Sequence, residues 1–214
     1  MKAPKSAVAL SGGPKNVSAT APRMAAADRR RHLVDTAIRL FTDGSYHGTT
    51  TADIARAAGV SEPILYRHFA SKRDLYFAAL EHVWAKARED WERKLAGAPD
   101  ACAAIEAIGK GHVSVRSPRL QLAELWVKAL SEASEDPELR RRLRAHMREV
   151  HDFLADLIRR GQAEGASAAE RDAGSEAWIM LAGGILGMVG RRVGLLDDAE
   201  LAAIRAARLA WLRG

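Results

Sequence analysis

The chain has 214 residues, enough to bury a sizeable core and more than a bare nucleic-acid-binding module needs. Its formal net charge of +6 sits in residues 1–75, where twelve Lys or Arg face six Asp or Glu, while residues 76–214 balance at twenty-one of each. That split excludes a uniformly basic coat and points one end at a polyanion; the single cysteine, Cys102, excludes an intramolecular disulfide and fits a reducing cytoplasm.

Residues 1–27 are rich in Ala, Ser, Gly, Pro and Lys and carry no helical periodicity, which predicts a disordered basic arm. Lys2, Lys5, Lys15 and Arg23 lead into Arg29, Arg30 and Arg31, so the arm either tracks a nucleic-acid backbone or minor groove or is a solvated tail. Too few apolar residues follow Lys2 and Lys5 for a secretory signal. A first helix is expected over residues 28–43, because Leu33, Ala37, Leu40 and Phe41 recur on one face; Gly44 ends it.

The stretch from Thr49 to Leu75 holds two short helices and the cap of a third. Thr50 with Asp53 has the spacing of a capping box, and a helix over residues 52–58 buries Ile54, Ala55 and Ala58 while Arg56 points away. Gly59 suits a left-handed helix end. Ser61 is placed to cap a second helix over residues 62–69, in which Pro63 is tolerated in the first turn and Leu65 and Phe69 face inward. Its other face presents Glu62, Pro63, Ile64, Tyr66, Arg67 and His68, a mixture suited to reading DNA. Ser71 and Asp74 form the next capping pair, with Lys72 at a helix start where a phosphate is drawn.

The Thr-Thr-Thr start, Asp-Ile-Ala, Ala-Gly-Val-Ser at the turn, Leu-Tyr-x-His-Phe and Ser-Lys-x-x-Leu resemble, in order and spacing, the TetR-type one-component transcriptional regulators. The resemblance covers roughly residues 29–80 in detail and the rest only in helical character and length. It implies an all-α homodimer: a helix-turn-helix DNA-binding domain over residues 28–75, and a larger helical domain over residues 76–214 that binds a small molecule and dimerises. It further implies that Thr51, Tyr66 and Lys72 grip phosphates, with Thr50 beside them, and that Ser61, Glu62, Pro63, Ile64, Arg67 and His68 face base edges. Among these, Arg67 suits a bidentate contact to guanine, Ile64 a thymine methyl and Glu62 a cytosine amino group. His68 is read either as a DNA contact or as a packing residue beside Phe69. Pro63 and Ile64 depart from the small or polar residues common in the family, which leaves the base code open.

The remaining chain reads as helix throughout. Helices are expected over residues 71–95, 101–115 and 119–131, the last with Leu122, Leu125, Trp126 and Leu130 facing in. Asp136 caps a helix with Pro137 in its first turn, running to residue 163 with an inward stripe of Leu139, Leu143, His146, Val150, Phe153 and Leu157. Two more are expected over residues 172–193 and 198–212. In the former, Gly183, Gly187, Gly190 and Gly194 repeat every four and three residues, a seam for close helix approach, since each helical glycine costs about 0.5–1 kcal/mol relative to alanine. With Leu201, Ile204, Arg208 and Trp211, this seam resembles the two-helix element TetR-like subunits give to an intersubunit bundle; a contact within one subunit is the alternative. The apolar run over residues 177–190 is broken by glycines and falls short of a membrane span.

The family resemblance also implies an effector cavity walled by the central helices, for which Trp126, Met147, His151, Trp178 and Met180 are candidates that equally suit plain core. No cofactor is expected. His112, His146 and His151 lack the spacing of a metal site, and no paired carboxylates, nucleophile and base, or phosphate loop argues for an enzyme. The expected partners are a double-stranded inverted-repeat operator, a second copy and an unidentified small molecule, with no membrane. A ligand-independent DNA-organising protein is the alternative reading.

Overall fold

In a computed structural model, which describes residues 25–110 and 117–214, no strand occurs among those residues. The arm up to residue 24 and His112 lie outside them. The described helices are α1 (Ala26–Asp43), α2 (Thr51–Ala57), α3 (Glu62–Tyr66), α4 (Lys72–Gly97), α5 (Ala101–Lys110), α6 (Pro118–Glu135), α7 (Pro137–Ala163), α8 (Ala173–Arg192) and α9 (Asp198–Arg213).

Local chemistry explains most of the boundaries. Thr50 and Asp53 form the reciprocal capping box of α2. At its far end Gly59 adopts φ 67°, while Val60 and Gly59 donate backbone hydrogen bonds to the Ala55 and Arg56 carbonyls, closing the turn. Asp136 accepts from the Glu138 and Leu139 amides, both at 3.0 Å, and Pro137 opens α7. Two expectations need correction here. Ser61 stands at the start of α3 but makes no side-chain cap, and α3 ends at Tyr66, because the His68 amide bonds the Leu65 carbonyl in a tighter turn.

Leu33, Phe41, Ile54 and Leu65 form a small core under α1 to α3 that runs without a break into α4. Tyr76 is fully buried there, its ring 4.8 Å from both Phe41 and Tyr46 in edge-on contacts. Farther along α4, Trp84 and Trp91 close against Phe153 of α7. The α7 stripe is buried as its spacing predicts, except that Phe153 is only partly buried and packs against the edge of the core. On α6, Leu122, Leu125 and Trp126 face in, but Leu130 is 52% exposed; Ala129 and Ala133 continue the inner line instead, where the tight approach of α1 and α4 leaves room for alanine.

Helix α8 also departs from expectation. It runs unbroken through its glycines for 20 residues, with a mean hydropathy of 1.3 over its apolar window, long and apolar enough to cross a membrane by length and composition. Only 22% of that window is buried in the chain. One side packs on α7 and α6; Ile179, Leu186 and Val189 are left uncovered.

Candidate nucleic-acid interface and ligand cavity

The α2–α3 pair holds its polar side chains in a connected cluster. The Thr51 hydroxyl donates to Glu62 Oε1 at 2.5 Å and lies 3.2 Å from the Tyr66 hydroxyl, so these three residues are tied across the two helices. Thr51 is buried and Tyr66 about half exposed. Ser61, Pro63 and Arg67 are exposed, while Ile64 and His68 are partly covered. Thr50 caps α2 and is itself exposed. Lys72 Nζ donates to the Tyr46 carbonyl at 2.8 Å and sits 4.4 Å above the Tyr46 ring, and burial lowers its pKa below the usual lysine value.

Polar links join this head to the rest of the chain. Lys128 of α6 donates to the Thr42 carbonyl at 2.6 Å and also to that of Gly44, capping the end of α1. Arg142 reaches Asp74 at 2.8 Å, and Arg73 reaches Asp136 at 3.2 Å. The buried Tyr76 hydroxyl donates to the Leu125 carbonyl. α6 is therefore held to both α1 and α4.

The other face of α6 lines a cavity of about 310 Å³ bordered by α4 to α9 and open to solvent on the side of the exposed Ile179 and Ile204. Its apolar wall includes Trp91, Leu122, Trp126, Leu154, Ile185, Met188 and Leu209. Of the five residues singled out from the sequence, Trp126 and Met180 line it. Met147, His151 and Trp178 do not. Met147 packs against the core, and His151 is buried, held by Asp152 and the Gly174 carbonyl and stacked 4.2 Å from the Trp178 ring. Trp126 Nε1 donates to His146 Nδ1 at 3.2 Å, and burial lowers the His146 pKa. Among the described residues no cluster of three metal-ligating side chains occurs.

The sequence reading missed the polar lining: Lys110, Arg119, Arg191, Arg205 and Arg208, against the single carboxylate Glu106. A signal for it was present. Leu201, Arg205, Arg208 and Leu212 share one face of α9, so two arginines interrupt an inward apolar stripe.

The glycine seam divides into different roles. Gly194 follows α8 at φ 68° and terminates it, with Leu195 and Gly194 bonding back to Gly190 and Arg191. A Cβ on Gly190 would meet Leu196 at 2.8 Å, and one on Gly187 would touch Leu201 at 3.4 Å, so both admit side chains of the same chain. Leu201 is accordingly buried. At Gly183 nothing lies within 4 Å, and Ile204 and Trp211 are 46% and 50% exposed. These three adjoin the uncovered α8 face.

Comparison with known proteins follows the same division of the chain. Residues 33–79 match the family described as bacterial regulatory proteins, tetR family, and residues 103–212 match the C-terminal domain of BetI-type transcriptional repressors. The HTH-type transcriptional regulator BetI of Rhizobium meliloti (strain 1021) is 30% identical over 128 residues, 59% of this chain and 62% of that protein, so the match spans less than two thirds of the relative. The HTH-type transcriptional activator FasR of Mycolicibacterium smegmatis is 47% identical over 57 residues, 26% of each chain. A TetR-family regulator from a Rhodococcus species shares the fold at a TM-score of 0.78 and 20% identity, over 88% of this chain and 100% of that one. A regulator from Saccharomonospora viridis in complex with choline does so at 0.68 and 21%, over 86% and 95%.

Proposed function

The chain belongs to the tetR family of bacterial regulatory proteins, which are transcriptional regulators and not enzymes, and from that premise we propose that it acts in the cytoplasm as a homodimeric repressor released from an inverted-repeat operator by a small molecule. The observation that carries the ligand-responsive part is the double engagement of α6, which lines the cavity on one side and holds the α1 carbonyls through Lys128 on the other. A ligand that shifts α6 shifts the reading head, and it does so only by its different affinity for the two head positions.

We assign DNA reading to residues 28–75, and effector binding and dimerisation to residues 76–214. Arg67, Ile64 and Pro63 face base edges; Lys72 and Tyr66 hold phosphates. Thr51 supports that contact indirectly, by fixing Glu62 and Tyr66. The partner subunit covers Ile179, Gly183, Leu186, Ile204 and Trp211, which gives the uncovered α8 face an occupant other than lipid. Two heads set by that interface enter successive major grooves about 34–36 Å apart.

Footprinting on DNA upstream of its own gene tests this reading. A protected inverted repeat is expected; affinity that merely tracks salt, with no protected repeat, would leave the ligand-independent DNA-organising protein in its place.

A further inference from the structure

The cavity has a charge pattern that its apolar volume does not require. Three of its five cations have carboxylate partners: Lys110 pairs with Glu106, Arg191 with Asp198 at 2.6 Å, and Arg208 with Glu176. Arg119 and Arg205 have none among the described residues, and every Asp and Glu of the sequence falls within those residues. Arg119 donates to the Ile108 carbonyl at 3.1 Å, a neutral acceptor. All three of Arg119, Arg191 and Arg205 line the one cavity, and the Arg119 pKa is lowered by burial first and then by the like charges of Arg205 and Arg191. Cations held together in a partly desolvated space without a counter-charge are costly, and a bound anion offsets that cost through charge-assisted hydrogen bonds to the planar guanidinium forks.

We infer that the effector is an amphipathic anion, a carboxylate or phosphate ester on an apolar body, whose head docks between Arg119 of α6 and Arg205 of α9. The inference rests on the ligand-responsive reading above and names the chemistry of that same cavity. The apolar body lies against Leu122, Leu154, Ile185 and Met188. At about 310 Å³ the space is near the lower end of ligand pockets, which run to roughly 300–1,000 Å³, so a short or medium chain fits and a bulky polycycle does not. A quaternary ammonium, such as the choline held by the Saccharomonospora viridis regulator, is recognised by aromatic faces and negative charge. Here the single lining carboxylate, Glu106, is engaged by Lys110 and Arg213.

Calorimetric titration of the full chain with hexanoate, octanoate, decanoate and octyl phosphate, against octanol, octyltrimethylammonium and choline, tests the assignment. At least one anion should bind at least about tenfold more tightly than the neutral and cationic probes, and the better of carboxylate and phosphate identifies the head group. Arg205→Gln should weaken that anion by about tenfold, with Arg205→Lys, which keeps the charge and loses the planar fork, falling between Gln and the parent, in variants whose helical circular dichroism is unchanged. Binding of a cation as tight as that of the anions, or no binding of any anion, overturns the inference without recourse to a variant. So does a folded Arg205→Gln protein that binds within about twofold of the parent. Footprinting of the same preparation separates the two readings: anion binding without a protected repeat removes the regulator, and a protected repeat without anion binding removes only the anion.

Discussion

Arg67 and Lys72 lie five positions apart in sequence yet occupy different settings: Arg67 is exposed at the end of α3, and Lys72 is bonded to the Tyr46 carbonyl. Replacing Arg67 by alanine is expected to relax preference at one operator base pair by about 1–3 kcal/mol, whereas Lys72→Ala should weaken all sequences alike. Equal effects in a binding-site selection would refute that division. Gly59 shows how much one backbone angle decides. No atom would touch a Cβ there, so steric space is not the constraint, but its φ of 67° is one that L-residues resist. Gly59→Ala should cost about 1–2 kcal/mol in denaturant unfolding, and a neutral result would show that the turn relaxes. The turn and both capping pairs were legible in the sequence because their chemistry is local. The knot of Thr51, Glu62 and Tyr66 was not, since it joins side chains on two helices whose relative placement the core sets.

Among the elements, α6 carries the link between cavity and head. Lys128→Met removes its bonds to the α1 carbonyls, and we expect near-parental operator affinity with a diminished difference between effector-bound and effector-free protein, a difference typically worth 1–3 kcal/mol in allosteric systems. Gel-shift titrations with and without effector measure it; an unchanged difference would show that the coupling runs elsewhere. The contact of α6 with α7 has a pH signature. His146 accepts from Trp126 through Nδ1 and is kept neutral by burial, which holds its pKa below the ordinary histidine value of 6.5. The unfolded chain therefore binds the proton more readily, so this contribution to stability is present above pH 6.5 and is lost as pH falls below it. Thermal unfolding across that window should show the loss, and His146→Gln should flatten it. The α6 periodicity identified Leu122, Leu125 and Trp126 correctly but also drew in Leu130, because a helical wheel does not report which of two adjacent faces its neighbours cover.

For the molecule as a whole, the uncovered apolar face of α8 and α9 is the feature a single chain leaves unresolved. Leu186 is 50% exposed within the chain, so Leu186→Glu should leave the subunit folded while separating two subunits that bury it. Sedimentation should then shift from dimer to monomer, and operator affinity should fall because one head no longer positions the other; a parental dimer would place the interface elsewhere. The amino-acid sequence by itself determined the order of the helices, the Thr50, Ser71 and Asp136 caps, the helix-turn-helix motif and the concentration of net charge at one end, because each depends on neighbours within a few turns or on counting. Tertiary structure alone decided that Gly187 and Gly190 admit side chains of their own chain and Gly194 ends α8, that Met147, His151 and Trp178 stand outside the cavity, and that Arg119 and Arg205 both line it. The reason is physical: periodicity tells which side chains share a face, but the angle and distance at which two faces meet arise from packing contributed by many residues distant in the chain.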